Sequence, residues 1–269
     1  MADTAHAAVL DVASLTRRFG QVTAVDDVSF TIPDGGSMAI VGESGSGKTT
    51  IARMVVGLLA PTSGTITACG RDRSTPARSA DERRRRGAEV QIVFQDPYSS
   101  LDPRQSGTDA LDEVLRLHRG GTADERRARI AELADLVGLD QRQIGARPGA
   151  LSGGQRQRVA IARALAAEPR LVILDESVAA LDVSIQAQVL NLLADVRRAT
   201  GVSYLLISHD LAVVRQLTTE AIVMQRGRVV ERGATASILD DPQEQYTRQL
   251  RASVPAPGWK PQRRARAAS

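Results

Sequence analysis

The stretch Gly42-Glu43-Ser44-Gly45-Ser46-Gly47-Lys48-Thr49 decides the fold of this chain. It matches the pattern G-x-x-x-x-G-K-[ST] at every position, which predicts a loop that wraps round a phosphate group. An apolar run at 37–41 before the loop predicts a strand, and apolar residues at helical spacing across 51–59 predict a helix after it. A glycine- and serine-rich turn without a ligand is the alternative, but such a turn needs neither the complete motif nor these flanks. The sequence therefore predicts a nucleotide site, and the motif alone leaves ATPase, GTPase and kinase open.

The chemistry of this phosphate loop (residues 42–49) follows from its composition. Glycines let backbone N–H groups close round an anion, and the start of a helix adds unpaired N–H groups and a favourable dipole. We expect Lys48 to reach the β- and γ-phosphates and Thr49 to offer its hydroxyl to Mg2+. The residues expected to hold the nucleotide here are Gly42, Ser44, Gly45, Ser46, Gly47, Lys48, Thr49 and Thr50.

Chain length and cysteine content narrow the class of protein. A chain of 269 residues suits one large α/β domain, or a domain with a small appendage. Its longest apolar stretch, 54–60, is far shorter than the roughly 20 residues that cross a bilayer. The first residues do not resemble a secretory signal, so we expect a cytoplasmic chain. Cys69 is the only cysteine, which excludes an internal disulfide and any site that needs several thiolates from this chain.

The net charge of +4 comes largely from arginine runs at 83–86, 126–129 and 263–266. Aromatic residues make up only 3% of the chain, too few for a platform that stacks nucleic-acid bases. We interpret the runs as solvated faces, with contact to lipid headgroups as the alternative, and we expect no nucleic-acid partner.

The order of elements along the chain predicts an α/β fold. Residues 9–70 are rich in strand patterns, and 109–139 form a helical insert. Strand candidates at 171–174, 204–207 and 221–224 then alternate with helical patterns, which predicts a largely parallel sheet. The basic, proline-containing tail at 254–269 is expected to be poorly ordered.

A second motif is the apolar run 171–174, which ends in Asp175 and Glu176. Carboxylates at the end of a parallel strand face the crevice where α/β proteins bind ligands. Asp175 is placed to hold Mg2+, and Glu176 to polarise an attacking water. The competing interpretation is an ordinary polar strand end.

A third motif, here called the signature segment (residues 151–155), reads Leu-Ser-Gly-Gly-Gln. Ser152 and Gln155 fit a capping box that starts a helix, which is a purely structural explanation. However, paired glycines directly after a cap weaken a helix and let the backbone approach an anion closely. The segment therefore predicts a second phosphate-binding helix terminus.

Together these motifs resemble those of the ATP-binding subunits of ABC transporters, over about residues 9–254. The resemblance implies a P-loop NTPase core with a mainly parallel sheet, an antiparallel β subdomain and a helical subdomain that carries the signature segment. It implies an ABC ATPase domain at 1–253, with the helical subdomain at about 96–165 and a terminal appendage at about 234–253. The cofactors implied are ATP and Mg2+.

In that family the signature segment closes over an ATP held by the phosphate loop of the opposite subunit. The resemblance implies that Ser152 and Gly154 contact the γ-phosphate in this way. The loop that follows Glu176 resembles the family's D-loop but has Ala179 where a serine is usual, so a hydrogen bond from that side chain is in doubt. The residues implied to complete the nucleotide site from the second subunit are Ser152, Gly153, Gly154, Gln155 and Asp182.

Three single positions also match the family. Gln95 resembles the glutamine that touches Mg2+ and the attacking water, which would make it catalytic and a metal ligand beside Thr49 and Asp175. His209 resembles the histidine that contacts the γ-phosphate and positions Glu176. Phe19 occupies the place of the aromatic that stacks on adenine. The alternative for Gln95 is an ordinary polar surface residue, for His209 a structural role, and for Phe19 a place in the hydrophobic core.

The branch of the family follows from the stretches 94–104, 182–193 and, more weakly, 246–250, which resemble the oligopeptide, dipeptide and nickel importers. The lack of a cysteine cluster near the C-terminus favours the shorter of the paired ATPases.

The resemblance implies transmembrane permease subunits, a sister ATPase in a heterodimer and, indirectly, an extracytoplasmic solute-binding protein. It implies a place at the cytoplasmic face of the membrane. The alternative is an ATPase of a soluble complex of the phosphonate-degrading type; a DNA-repair or translation ATPase would need a coiled-coil insert or a second phosphate loop.

Overall fold

The computed structural model describes residues 8–94, 100–177 and 182–252. Its strands are β1 (Ala8–Phe19), β2 (Val22–Pro33), β3 (Ser37–Val41), β4 (Ser63–Ala68), β5 (Arg71–Asp72), β6 (Val90–Val93), β7 (Leu171–Asp175), β8 (Ser203–Ser208), β9 (Glu220–Gln225) and β10 (Arg228–Ala234). Its helices are α1 (Lys48–Val55), α2 (Ala80–Glu89), α3 (Gly107–His118), α4 (Ala123–Leu136), α5 (Gln141–Ile144), α6 (Gly153–Ala166), α7 (Val183–Thr200), α8 (Leu211–Leu217), α9 (Thr235–Asp240) and α10 (Gln245–Ala252), with a 3-10 turn at Pro148–Ala150. The tail predicted at 254–269 lies outside the described residues.

The larger sheet has six strands in the order β10-β9-β3-β8-β7-β6. β3 pairs in parallel with β8 and β9, β7 pairs in parallel with β8 and β6, and only β10 is antiparallel to its neighbour. Every residue of β3, β7 and β8 is buried. Such continuous burial is typical of parallel strands covered on both faces. The mainly parallel sheet predicted from the sequence is therefore confirmed.

Two hydrophobic cores cover the two faces of this sheet, and alternate residues of β3 enter different cores. Ala39 and Val41 join the core formed with α3, α4, α6, α7 and α8. Met38 and Ile40 join the core formed with α1 and the smaller sheet. Because side chains alternate across a strand, one central strand fixes helices on one face and a second sheet on the other.

The smaller sheet is antiparallel, with the order β2-β1-β4-β5. Val12 of β1 lies between Phe30 of β2 and Ile66 of β4, and all three side chains are buried. Val28, Phe30 and Ile32 alternate along β2 and are all buried, which confirms strand structure in this part of the region 9–70. This sheet covers α1 and thus supports the phosphate loop from one side.

The helix after the phosphate loop is shorter than the apolar spacing predicts. α1 ends at Val55, and Leu58, which the pattern placed on its apolar stripe, is 67% exposed. The chain leaves the helix at Gly57, whose φ is 86°. Leu58 and Leu59 then bond back to the Arg53 carbonyl, which closes the helix end.

The helical insert forms separate helices that pack on each other. α3 and α4 both contact α6, and the chain between them turns at Gly120 and Gly121. α3 begins with a capping box of Ser106 and Asp109, and α4 with one of Thr122 and Glu125. Within the described ranges, no helix combines the length and apolar character needed to cross a membrane.

Candidate nucleotide site

The phosphate loop joins the carboxyl end of β3 to the start of α1. β3 lies in the middle of the larger sheet, and β8 and β7 follow it in order on one side. Asp175 is the last residue of β7, and His209 comes directly after β8. Because these strands are parallel, their carboxyl ends meet at one edge of the sheet, where α/β proteins bind ligands.

Two glycines of the loop have conformations and surroundings that exclude a side chain. Gly42 has φ of 151° and Gly47 has φ of 105°, both in the left-handed half of the Ramachandran plot. A Cβ atom on Gly42 would lie 2.3 Å from the Met224 carbonyl oxygen, and one on Gly47 would lie 2.3 Å from the Ala24 oxygen. The loop is therefore pressed between β9 and β2, and its shape depends on these two glycines.

The phosphate loop is open to solvent on the side of Ser44 and Gly45. Ser44 and Gly45 are exposed, Ser46 is buried, and Thr50 is half-buried in the first turn of α1. No side chain caps the N-terminus of this helix. Its first N–H groups are thus available to an anion, which is the arrangement that phosphate sites use.

Lys48 lies inside the loop and is only 4% exposed. Its ammonium donates to the carbonyl oxygens of Gly42 at 2.8 Å and Glu43 at 2.7 Å. Burial lowers the pKa of Lys48, while the nearby carboxylates of Glu176 and Asp175 act in the opposite direction. The positive charge of Lys48 is thus stabilised by two backbone carbonyl oxygens and by the carboxylates of Glu176 and Asp175.

Thr49 and Asp175 bring two oxygens together beside the loop. The Thr49 hydroxyl donates to Asp175 Oδ1 at 3.2 Å, and Asp175 is 6% exposed. Burial raises the pKa of Asp175, and the hydrogen bond from Thr49 lowers it. Within the described ranges, no group of three or more histidine, cysteine or acidic residues forms a metal cage. A hydroxyl and one carboxylate fit Mg2+, which proteins often hold through one or two carboxylates together with substrate phosphates.

Glu176 and His209 lie at the same edge, one strand apart. Glu176 has φ of 48°, and its N–H donates to the Ile207 carbonyl of β8 at 2.9 Å. This left-handed backbone turns the chain out of β7 directly after Asp175. Glu176 Oε1 lies 3.3 Å from His209 Nδ1, with the histidine side chain 56% exposed and the glutamate side chain 21% exposed. The two residues therefore form a hydrogen-bonded pair that faces open space.

The signature segment forms the capping box that its sequence permits. Ser152 N donates to Gln155 Oε1 at 2.8 Å, and Gln155 N donates to Ser152 Oγ at 3.3 Å. Ser152 remains exposed, while Gly153 and Gln155 are half-buried. The structural role of the cap is thus present in the single chain, and the serine hydroxyl is still reachable from outside.

Gly154 is buried for a reason that the sequence does not reveal. A Cβ atom at this position would lie 2.6 Å from Cγ2 of Ile185 on α7. The glycine therefore lets α6 pack closely on α7 and carries a packing constraint as well as any role toward an anion.

Two of the remaining predicted residues, Phe19 and Asp182, lie within the described part of the chain. Phe19 ends β1, is 46% exposed and has the Arg17 guanidinium carbon 4.5 Å from its ring centroid, so it is not a core aromatic. Asp182 precedes α7, is exposed and makes no capping hydrogen bond with its side chain. Gln95 and Ala179 lie outside the described residues.

Two further residues support the site, and sequence reasoning missed their roles. Arg156, which is 7% exposed, donates from one guanidinium nitrogen to the carbonyls of Pro148 at 3.0 Å and Leu151 at 2.6 Å. It therefore fixes the chain that leads into the signature segment. Tyr246 accepts a hydrogen bond from Glu43 N at 3.1 Å. Nothing in the sequence marks Arg156 beyond its place in a helix. Tyr246 lies 203 residues from Glu43, so no local pattern connects the two.

A central parallel sheet with a phosphate loop after one strand and acids after another defines a P-loop nucleotide-binding domain. The profile of the family described as "ABC transporter" matches residues 25–179, more than half of the chain. The chain belongs to this family, which confirms the family predicted from the motifs.

Its relatives include peptide-import proteins, in agreement with the branch predicted from the sequence. The chain is 46% identical to the oligopeptide transport ATP-binding protein OppD of Mycobacterium bovis, over 90% of this chain and 39% of that protein. It is 43% identical to the oligopeptide transport ATP-binding protein OppF of Lactococcus lactis, over 87% of this chain and 73% of that protein. It is 48% identical to a putative peptide import ATP-binding protein of Brucella abortus, over 86% of this chain and 69% of that protein. The chain thus spans about two-fifths of the mycobacterial relative.

Solved structures share the fold. CbiO1 of Clostridium perfringens, part of an ABC transporter complex, superposes with a TM-score of 0.78 at 27% identity, covering 87% of this chain and 91% of its own. An ATP-binding cassette solved as a dimer in a post-hydrolysis state with ADP and Pi superposes with a TM-score of 0.74 at 28% identity, covering 84% of this chain and 98% of its own. The α/β fold with a mainly parallel and an antiparallel sheet is therefore that of an ABC ATPase cassette.

Proposed function

We propose that this chain is the ATP-hydrolysing subunit of an ABC importer for peptides or a related small solute. One observation carries the proposal: Thr49, Asp175, Glu176 and His209 meet at the edge of the sheet that also holds the phosphate loop. This edge gathers a phosphate cradle, a magnesium-type oxygen pair and a candidate base, which are the parts that hydrolysis of a nucleotide requires.

The phosphate loop and α1 bind the triphosphate. The backbone N–H groups of residues 44–50 surround its oxygens, and the Lys48 ammonium, now on the carbonyls of Gly42 and Glu43, reaches the β- and γ-phosphates. Phe19 stacks on the adenine; its exposed ring at the end of β1 supports this role.

The oxygens of Thr49 and Asp175 would hold Mg2+, and Gln95 is a third proposed ligand. When bound, the ion neutralises charge on the phosphates and orients them. Thr49 would then exchange its hydrogen bond to Asp175 for the ion. Asp175 must be ionised for this task. Burial raises its pKa, and the charge of Lys48 acts against that effect.

Glu176 and His209 perform the hydrolytic step. Glu176 accepts a proton from water as the water oxygen attacks the γ-phosphorus in line, and the bond to the ADP oxygen breaks. His209 holds the carboxylate through the 3.3 Å contact and senses the γ-phosphate. The Lys48 charge stabilises the negative charge that spreads over the transferred group.

The site is completed by a second ATPase subunit. Ser152, Gly153, Gly154 and Gln155 of one subunit cover the ATP of the other, and Asp182 belongs to the same interface. Two observations on this chain support the arrangement: Ser152 is exposed, and Asp182 is exposed with no capping hydrogen bond from its side chain. The dimeric form of a structural neighbour supports it as well. The second subunit is a sister ATPase in a heterodimer, and a homodimer is the alternative.

The partners follow from the relatives, which are named for oligopeptide transport and peptide import. The dimer docks at the cytoplasmic face of transmembrane permease subunits, and an extracytoplasmic solute-binding protein supplies the solute. The ATPase of a soluble phosphonate-degrading complex, the alternative raised by the sequence, is not favoured by these relatives.

The decisive experiment purifies the full chain from its own cells in mild detergent, identifies what accompanies it by mass spectrometry and measures release of phosphate from MgATP. We expect permease subunits, a sister ATPase and hydrolysis that Lys48→Met lowers strongly. Recovery with soluble enzyme subunits and no membrane protein would reject the importer but keep the ATPase. A rate of hydrolysis that Lys48→Met leaves unchanged would reject the nucleotide site.

A further inference from the structure

The last described helix, α10, reaches back to the phosphate loop. The Tyr246 hydroxyl of α10 accepts a hydrogen bond of 3.1 Å from the backbone N–H of Glu43, across 203 residues of sequence. The ATP-binding roles proposed above make no use of this contact.

The ring of Tyr246 is held firmly, so its hydroxyl is a fixed point. Tyr246 is 9% exposed and belongs to the same core as Leu250, Ile238 and Val214. The chain that carries α10 is tied down by its own hydrogen bonds, among them one from Arg251 to the Asp240 carbonyl at 2.9 Å. A hydroxyl on such a support loses little side-chain entropy when it binds the loop.

The partner of this hydroxyl is the first turn of the phosphate loop. The carbonyl of Glu43 accepts from Lys48 Nζ at 2.7 Å and from Ser46 N at 3.2 Å. The N–H of the same residue points to Tyr246, and the Glu43 side chain is exposed. The backbone of Glu43 is therefore held from the loop side through its oxygen and from the α10 side through its nitrogen.

We propose that Tyr246 is a positioning residue for ATP binding, which acts through the backbone of Glu43 to hold the phosphate loop open in its binding shape. The inference rests on the proposed function of this loop. A pre-ordered loop needs no ordering at the moment of binding, so the contact strengthens binding of the triphosphate. Once the phosphates fill the loop they order it themselves, so turnover at saturating ATP does not depend on the hydroxyl.

The test compares Tyr246→Phe with Tyr204→Phe in the full chain. Each variant removes one buried hydroxyl from a ring that stays packed. Tyr204 donates to the Leu193 carbonyl at 2.9 Å, and it pairs with Ser37 at the start of β3, at the end of the sheet opposite the loop. The variants thus share the chemical change and differ in whether they touch the loop.

Titration calorimetry measures the binding of MgATP and of a non-hydrolysable ATP analogue, and circular dichroism measures thermal unfolding. Phosphate release from the complex with the second ATPase subunit gives KM and kcat. For Tyr246→Phe we expect affinity about five-fold weaker, equivalent to about 1 kcal/mol, the net contribution of one neutral hydrogen bond. KM should rise by a similar factor, with kcat within about two-fold of wild type. Tyr204→Phe should keep the wild-type affinity.

Equal affinity of wild type and Tyr246→Phe would overturn the inference while leaving the ATP site in place. An equal loss of affinity in both variants would also overturn it, because the effect would then be general to the fold. Failure of the wild-type chain to bind MgATP would instead reject the proposed function, and the inference with it.

Discussion

Thr49 and Asp175 lie 126 residues apart in the sequence, and their side chains are joined by a hydrogen bond of 3.2 Å. Thr49 belongs to the first turn of α1 after β3, and Asp175 ends β7, with β8 between these two strands in the sheet. The contact places a hydroxyl and a carboxylate at the mouth of the phosphate loop. It marks where the proposed Mg2+ would bind.

Thr49→Val tests this metal site, because valine keeps the shape of threonine and lacks only the hydroxyl. We expect the Mg2+ concentration for half-maximal hydrolysis to rise at least about ten-fold, the lower end of the cost of losing a group that supports a metal. Binding of ATP without Mg2+ should be unchanged. Thr65→Val, on the exposed side of β4, is the matched control. An unaltered Mg2+ titration in Thr49→Val would remove the threonine from the metal site.

Glu176→Gln tests the proposed base, since the amide has nearly the same size and accepts no proton. Turnover should fall by about 10²- to 10⁴-fold, the usual contribution of general acid–base catalysis, while MgATP still binds and a closed dimer accumulates. Phosphate release and size-exclusion chromatography with ATP measure the two effects. Glu220→Gln, at the opposite end of the sheet in β9, should change neither. Near wild-type hydrolysis in Glu176→Gln would assign the base elsewhere.

His209→Ala tests whether the histidine acts through Glu176, which lies 3.3 Å away. Residues that act as a unit show strongly non-additive losses. We therefore expect His209→Ala to lower turnover severely, and the double variant with Glu176→Gln to lose no more than Glu176→Gln alone. His118→Ala, on α3 and remote from the loop, is the control. If the two losses multiply in the double variant, the histidine has a separate role.

Gly154→Ala tests the close contact between α6 and α7. The new methyl group would lie 2.6 Å from Ile185 Cγ2, and overpacking of this kind costs about 1–3 kcal/mol in free energy of unfolding. The added change Ile185→Ala should recover part of this loss, which gives a coupling energy in a double-mutant cycle. Gly149→Ala, whose Cβ meets nothing within 4 Å, should have little effect. Urea unfolding measures the four proteins of the cycle and the Gly149→Ala control, and additive effects would mean that Ile185 does not limit this position.

The local elements of the site were predictable from the sequence. Gly42 and Gly47 occur at the positions where the loop needs left-handed backbone, and the strand before it and the helix after it have clear apolar patterns. Asp175 follows an apolar run, so its place at a strand end was also predictable. The extent of α1 was not, because Leu58 continues the helical spacing while Gly57 ends the helix.

The sequence by itself determined the strand–loop–helix unit and the strand that ends in two acids. These features depend on interactions between near neighbours, namely glycine conformations, apolar periodicity and helix starts. Only the tertiary structure decided which strands lie side by side, and with them the meeting of Glu176 with His209, of Gly154 with Ile185 and of Tyr246 with Glu43. Such contacts join residues from distant segments, and they arise from the packing of two cores on one sheet, which no local pattern specifies.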